Sequence, residues 1–181
     1  SEVDEVVKRI AEIVKTSKDE LREAVKRIED IVRRSEKMVR DNLRENERLV
    51  RELDKLAKGG ADERVVEEIK RRSEDSLRKS EELSKKTLDE IRKLLDDVRK
   101  RSKETLDRIR ELLERIKKKI KDKEKLDRVT ETVRRLIEED KRALEDVERK
   151  VEDVIRRDRE VLERNRREVE RLIKEIEDKR R

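Results

Sequence analysis

Lys58-Gly59-Gly60-Ala61-Asp62 holds the only two glycines of the 181-residue chain, which has no proline at all. A glycine just past a helix end supplies the left-handed conformation that closes the last turn. Asp62 can then cap a following helix, with Glu63 in its first turn. Upstream, Val3, Val7, Ile10, Val14, Leu21, Ala24, Ile28, Ile31, Met38, Leu49, Leu53 and Leu56 recur at helical spacing, flanked by Val6, Ile13, Val25, Val32 and Val39. That is the period of an amphipathic helix. Downstream the pattern lapses once more, between Ile120 and Leu126, at Lys121-Asp122-Lys123-Glu124-Lys125. Asp122 is the expected cap there, although no glycine or proline enforces the turn. The segments so defined, about 2–58, 62–120 and 123–180, are nearly equal, and each would be about 85 Å long at 1.5 Å per residue. Fusing the last two would give one helix of about 175 Å, but short connections between equal helices favour antiparallel neighbours. The expected fold is all-α: a single domain over 1–181, an antiparallel up-down-up three-helix bundle.

Composition agrees with long helices. Charged residues make up 60% of the chain and aromatics 0%, against about 25% charged in an ordinary domain. Such charge would argue for disorder, were the apolar residues not Val, Leu and Ile at helical period. Charge also follows the helix dipole: Glu2, Asp4 and Glu5 open the first helix, and Lys55 and Lys58 close it. The second closes on Lys117, Lys118, Lys119 and Lys121. The net charge of +6 is a small excess on a mixed background, which favours solubility over nucleic-acid binding. No apolar run reaches the roughly 18 residues of a membrane span, and Ser1-Glu2-Val3-Asp4-Glu5 does not read as a targeting signal.

The core pattern carries a register. Adding 123 to an apolar position of the first helix usually finds an apolar position of the third: Val3 with Leu126, Ile10 with Val133, Ile28 with Val151, Met38 with Val161, Leu53 with Ile176. For the antiparallel second helix, the partner of residue k lies near 120 − k. The polar residues within these stripes follow the same rules. Ser17 meets Ser102, Thr105 and Asp140, while Ser35 meets Ser84, Thr87 and Asp158. Asn42 and Asn46 meet Ser73, Ser76, Ser80 and Asn165. The first two sets share one formula and repeat at 18 residues in every helix. Eighteen residues is five turns at 3.6 per turn, so the same face returns without drift and the helices are expected to be nearly straight there. A buried polar group costs free energy unless it finds a partner. Slipping one helix by a turn would set each polar group against Leu or Val, at about 1–3 kcal/mol per orphaned group. The layers are therefore expected to be structural, specifying register, with Asp140 the common acceptor for Ser17, Ser102 and Thr105.

Other chemistry is poorly served. A nucleophilic serine needs a base, and the chain has no histidine. Asp140 and Asp158 lie 18 residues apart on one helix, about 27 Å along its axis, too far to act as an acid–base pair. Neither layer offers enough carboxylates for a divalent cation. No catalytic, cofactor or metal site is expected, nor a small-molecule ligand. Basic residues without aromatics, interleaved with acidic ones, offer no nucleic-acid platform, and a membrane-surface helix would carry a basic face and bulky aromatics.

With these features in place, the whole chain resembles de novo designed helical bundles whose helices are generated parametrically and whose cores carry hydrogen-bond networks. The duplicated Ser/Ser-x-x-Thr/Asp layers, the three equal helices, the Gly59-Gly60 turn and the aliphatic core carry the resemblance. It implies a hyperstable, soluble scaffold made in a recombinant host, with no natural biochemical function. Natural spectrin-like repeats are the nearest natural comparison, but they carry core aromatics that this chain lacks. Two other roles stay open: a module that self-associates or accepts a further helix, and a natural coiled-coil spacer.

Overall fold

A computed structural model describes the backbone of residues 1–60 and 62–180, and all their side chains except those of Ala57, Ile176, Lys179 and Arg180. Three helices make the fold: α1, Glu2–Lys58; α2, Glu63–Lys117; α3, Lys123–Arg180. It is an all-α three-helix bundle.

Each helix starts on a cap. The backbone N–H of Asp4 donates to Ser1 Oγ at 3.3 Å. The N–H of Arg64 donates to Asp62 Oδ1 at 3.3 Å, and that of Glu124 to Asp122 Oδ1 at 3.2 Å, so both aspartates satisfy donors that a helix start leaves free. Gly60 ends the first connection with φ of +73°. A Cβ built on Gly60 meets nothing within 4 Å, whereas Gly59 is not in the left-handed region and its Cβ would make ordinary contacts with α1 carbonyls. Gly60→Ala is therefore expected to cost about 1 kcal/mol, from the backbone alone. Gly59→Ala should be neutral or slightly stabilising. Urea midpoints of the two variants check this, and equal losses would contradict it.

The second connection differs from its sequence-based expectation. α2 stops at Lys117 rather than at residue 120. The N–H groups of Lys119 and Ile120 bond back to the carbonyls of Ile116 and Lys117, a tightened last turn of i→i−3 bonds that needs no glycine. Ile120 leaves the helix and packs against the core.

The contacts divide the chain into two compact units. Unit 1 comprises Ser1–Glu29 and Ile91–Glu152; unit 2 comprises Asp30–Glu90 and Asp153–Arg181. Both draw on all three helices. In unit 1, Val3, Ile10 and Val14 pack with Ile109, Leu112, Leu113 and Ile116 of α2 and Val129 and Val133 of α3. In unit 2, Leu49, Val50 and Leu53 pack with Val66 and Ile69, and Leu172 covers them in part. Burying such side chains gains about 1.5–3 kcal/mol each.

Interhelical ion pairs report the register. In unit 1, Lys18 meets Glu139 at 3.4 Å and Glu29 meets Lys150 at 3.3 Å, and in both the α3 partner stands 121 places after the α1 residue. In the same unit Glu2 meets Lys119, just past the end of α2, at 2.5 Å, one place from the position that 120 − k gives. In unit 2, Lys70 meets Glu177 and Arg166 meets Glu81, each at 2.5 Å. These exposed pairs contribute about 0–1 kcal/mol apiece. They mark the alignment more than they hold it.

Two apolar positions depart from the expected stripe. Met38 is 52% exposed and Leu56 36%, while Val39, read as a flanking residue, is 3% exposed. The 18-residue repeat explains this, since Met38 and Leu56 recur on the direction of Glu20, which is itself exposed. Four residues on from Ser35, Val39 takes the core place. The pairing of Leu53 with Ile176 rests on a side chain outside the described residues.

Candidate functional site

The polar layers fall at three levels, one in unit 1 and two in unit 2. In unit 1, Ser17 and Ser102 are buried and Asp140 is fully enclosed. Ser102 Oγ donates to Asp140 Oδ2 at 3.1 Å. Asp140 Oδ1 has no hydrogen-bond partner among the described residues. Ser17 and the half-buried Thr105 share the neighbourhood, lining one stretch of surface together, but neither bonds the carboxylate. The expectation that Asp140 serves three hydroxyls is thus corrected to one. An alcohol donates a single proton, and only Ser102 is placed to spend it there.

In unit 2, Ser84 Oγ donates to Asp158 Oδ2 in a short contact, and Ser35 is buried in the same unit with its hydroxyl unpartnered among the described residues. Thr87 turns away from the layer: its Oγ1 donates to the Leu83 carbonyl at 3.0 Å. That local i−4 bond is the usual competitor for a helical threonine, and spacing alone does not reveal it. One repeat further on, the same faces hold Leu53 and Val66, both buried, so the period continues as the layer becomes apolar.

The third level is built on amides. Asn42 Nδ2 donates to the Ser76 carbonyl at 3.0 Å and to Ser76 Oγ at 2.5 Å, and Asn46 Nδ2 donates to Asn42 Oδ1 at 3.2 Å. This chain joins α1 to α2. Ser73, Ser80 and Asn165 are buried in the same unit, yet Asn46 Oδ1, Ser73 Oγ and both polar atoms of Asn165 lack partners among the described residues. Each such atom costs about 1–3 kcal/mol unless a partner reaches it.

Asp158 is half-buried, and burial pushes its carboxyl above the ordinary value of 3.8. The Ser84 bond opposes the shift and the charge of Glu36 adds to it. The folded state then binds the proton more tightly than the unfolded chain. The resulting stabilisation is fully present below pH 3.8 and is lost as pH rises through the folded value. Asp158→Asn fixes the neutral form, so the stability of the parent relative to this variant is expected to fall as pH rises across that window. Glu45, Glu131 and Glu168, held low by hydrogen bonds from Arg48, Arg134 and Arg171, tilt the other way, but they are common to both proteins and cancel. Parallel pH profiles would contradict the burial of Asp158.

Among the described residues, no group of three or more histidine, cysteine, aspartate or glutamate side chains is placed to hold a metal ion. No described helix is long and apolar enough to cross a membrane. What the layers do chemically is pair a hydroxyl of α2 with a carboxylate of α3, and an amide of α1 with a serine of α2.

Comparison with protein-family models and with curated proteins gives no match. Among solved structures the chain is similar to a computationally designed three helix bundle, at 16% identity and a TM-score of 0.49, over 98% of this chain and 86% of that one.

Proposed function

We propose that this chain is a designed structural scaffold, without catalysis or cofactor, whose buried polar layers set the register of its helices. One observation carries the proposal. Ser102–Asp140 and Ser84–Asp158 repeat the same hydroxyl–carboxylate contact between α2 and α3, eighteen residues apart in both helices, within a core whose apolar side chains are all aliphatic. Register specification is the best-attested use of such buried polar groups. The absence of aromatics and proline and the near-equal helices support a designed origin, and the mixed surface charge supports solubility without a nucleic-acid or membrane partner. Light scattering coupled to size exclusion tests the monomeric form: the expected mass is 22.0 kDa at every concentration, and a multiple of it would overturn that form.

A further inference from the structure

We propose that the amide level of unit 2 is an internal water site, where ordered water bridges Asn165 of α3 to Asn46 of α1 and Ser73 of α2. The direct bonds at this level join α1 to α2, and the water brings in α3.

Bonds within unit 2 fix the level. Asn42 of α1 meets Ser76 of α2, and Ser84 of α2 meets Asp158 of α3. Asn165 stands seven residues past Asp158, and Leu77 seven before Ser84. Antiparallel helices therefore bring Asn165 level with Leu77, beside Ser76. Asn46 and Ser73 lie about one turn further toward the Gly59-Gly60 connection. All three side chains are enclosed: Asn46 is 0% exposed, Ser73 1% and Asn165 2%. On the α2 side the level is built from Ser73, Ser76 and Ser80, whereas α2 buries Val66, Ile69, Ile91 and Leu95 on either side of it. A serine takes up less of the cross-section than any of those.

A backbone carbonyl sets the direction of the bonds. The Ser76 carbonyl only accepts, so Asn42 turns its amide nitrogen there and presents Oδ1 to Asn46. Asn46 must donate in turn, which leaves its own Oδ1 as an acceptor without a partner among the described residues. Asn165 adds an acceptor and an N–H₂ donor, and Ser73 a hydroxyl, all in the same condition. The ligand these groups ask for is small and neutral, and it both donates and accepts. Water accepts from Asn165 Nδ2, donates to Asn46 Oδ1 and exchanges a further bond with Ser73, close to the roughly three bonds that a buried water makes. An ion would stand beside amides and a hydroxyl without a countercharge, at far greater cost. The half-buried Asn42 and Ser76 connect the level to solvent. Holding a water costs entropy that a direct side-chain bond does not, so this level is less stable than one closed by side chains alone.

Oxygen-17 magnetic relaxation dispersion on the full chain tests the site, because it detects water held for longer than the protein takes to tumble and does not see labile side-chain protons. The parent is expected to show such water. Asn165→Leu, which removes both polar atoms and fills their space, is expected to lose it, and Lys79→Ala, an exposed change on the neighbouring stretch of α2, to keep it. A second measurement needs no substitution: in the parent, rotating-frame NOEs should run from water to the side-chain amide protons of Asn165. Absence of long-lived water in the parent would overturn the proposal, and so would a dispersion that Asn165→Leu leaves unchanged, which puts the water elsewhere. NOEs from the Asn165 amide to the side chains of Asn46 or Ser73, with none to water, would show the level closed by direct bonds and overturn it as well. Each of these results leaves the register reading standing, since that rests on Ser102–Asp140 and Ser84–Asp158.

Discussion

Replacing Ser102 with alanine is expected to cost about 2–3 kcal/mol, the largest loss of any single hydroxyl in the chain. Asp140 is fully enclosed, and Ser102 donates the one hydrogen bond that its carboxylate receives from the described residues. Loss of that bond leaves an enclosed, desolvated acceptor. Ser17→Ala and Thr105→Ala remove hydroxyls that do not touch the carboxylate, so each should cost less than about 1 kcal/mol. Converting the level as a whole, with Ser102→Val and Asp140→Leu together, should be neutral or stabilising, because burial of a paired polar group rarely exceeds the gain from a well-packed apolar one. Guanidinium denaturation of the four proteins separates these outcomes. Equal small losses for all three hydroxyl variants would show that Asp140 is not held by Ser102.

The second large effect is expected between the two units. Unit 1 contains roughly twice as many buried apolar side chains as unit 2, each worth about 1.5–3 kcal/mol. Unit 2 contains five of the six buried polar atoms without partners among the described residues: Ser35 Oγ, Asn46 Oδ1, Ser73 Oγ and both of Asn165. Local opening draws on the regions with the least burial and the most unpaired polarity. Native-state hydrogen exchange should therefore show the amides of α1 near Val39 and Asn46 exchanging at least about tenfold faster than those near Ile10 and Val14, a difference of about 1.4 kcal/mol in opening free energy. Asn165→Leu removes two unpaired atoms from an enclosed site. It should stabilise by about 2 kcal/mol and raise protection in unit 2 alone. Uniform protection, or faster exchange in unit 1, would contradict the difference in burial.

Much of the fold is legible because so few residue types compete. Without aromatics or proline, the period of Val, Leu and Ile marks every helix, and Gly60 marks the first turn through a conformation that other residues avoid. Asp122 was readable as a cap, but the end of α2 was not, because its last turn tightens by backbone bonds that leave no mark in residue type. The exposure of Met38 could have been read from the same 18-residue repeat that revealed the layers, since it returns to the direction of Glu20. A three- and four-residue count accepts residue 38 or 39 equally.

The layers were legible as levels and not as bonds. Spacing puts Ser84 beside Asp158 and Ser102 beside Asp140, and the side chains meet there. Which hydroxyl donates is settled by rotamers and by backbone carbonyls within reach, as Thr87 shows by bonding Leu83. The amide chain Asn42–Ser76 was expected only as a shared level, yet it makes two hydrogen bonds across helices. The unpaired atoms of Asn165 and Ser73 have no signature in sequence, because satisfaction depends on a few tenths of an ångström.

The register itself is most directly tested by proton–proton NOEs in a sample labelled at serine and aspartate. Cross-peaks from the β-protons of Ser84 to those of Asp158, and from Ser102 to Asp140, are the expected result. Cross-peaks from Ser84 to Val154 or Leu162, one turn away on α3, with none to Asp158, would contradict the assignment of these layers to shared levels.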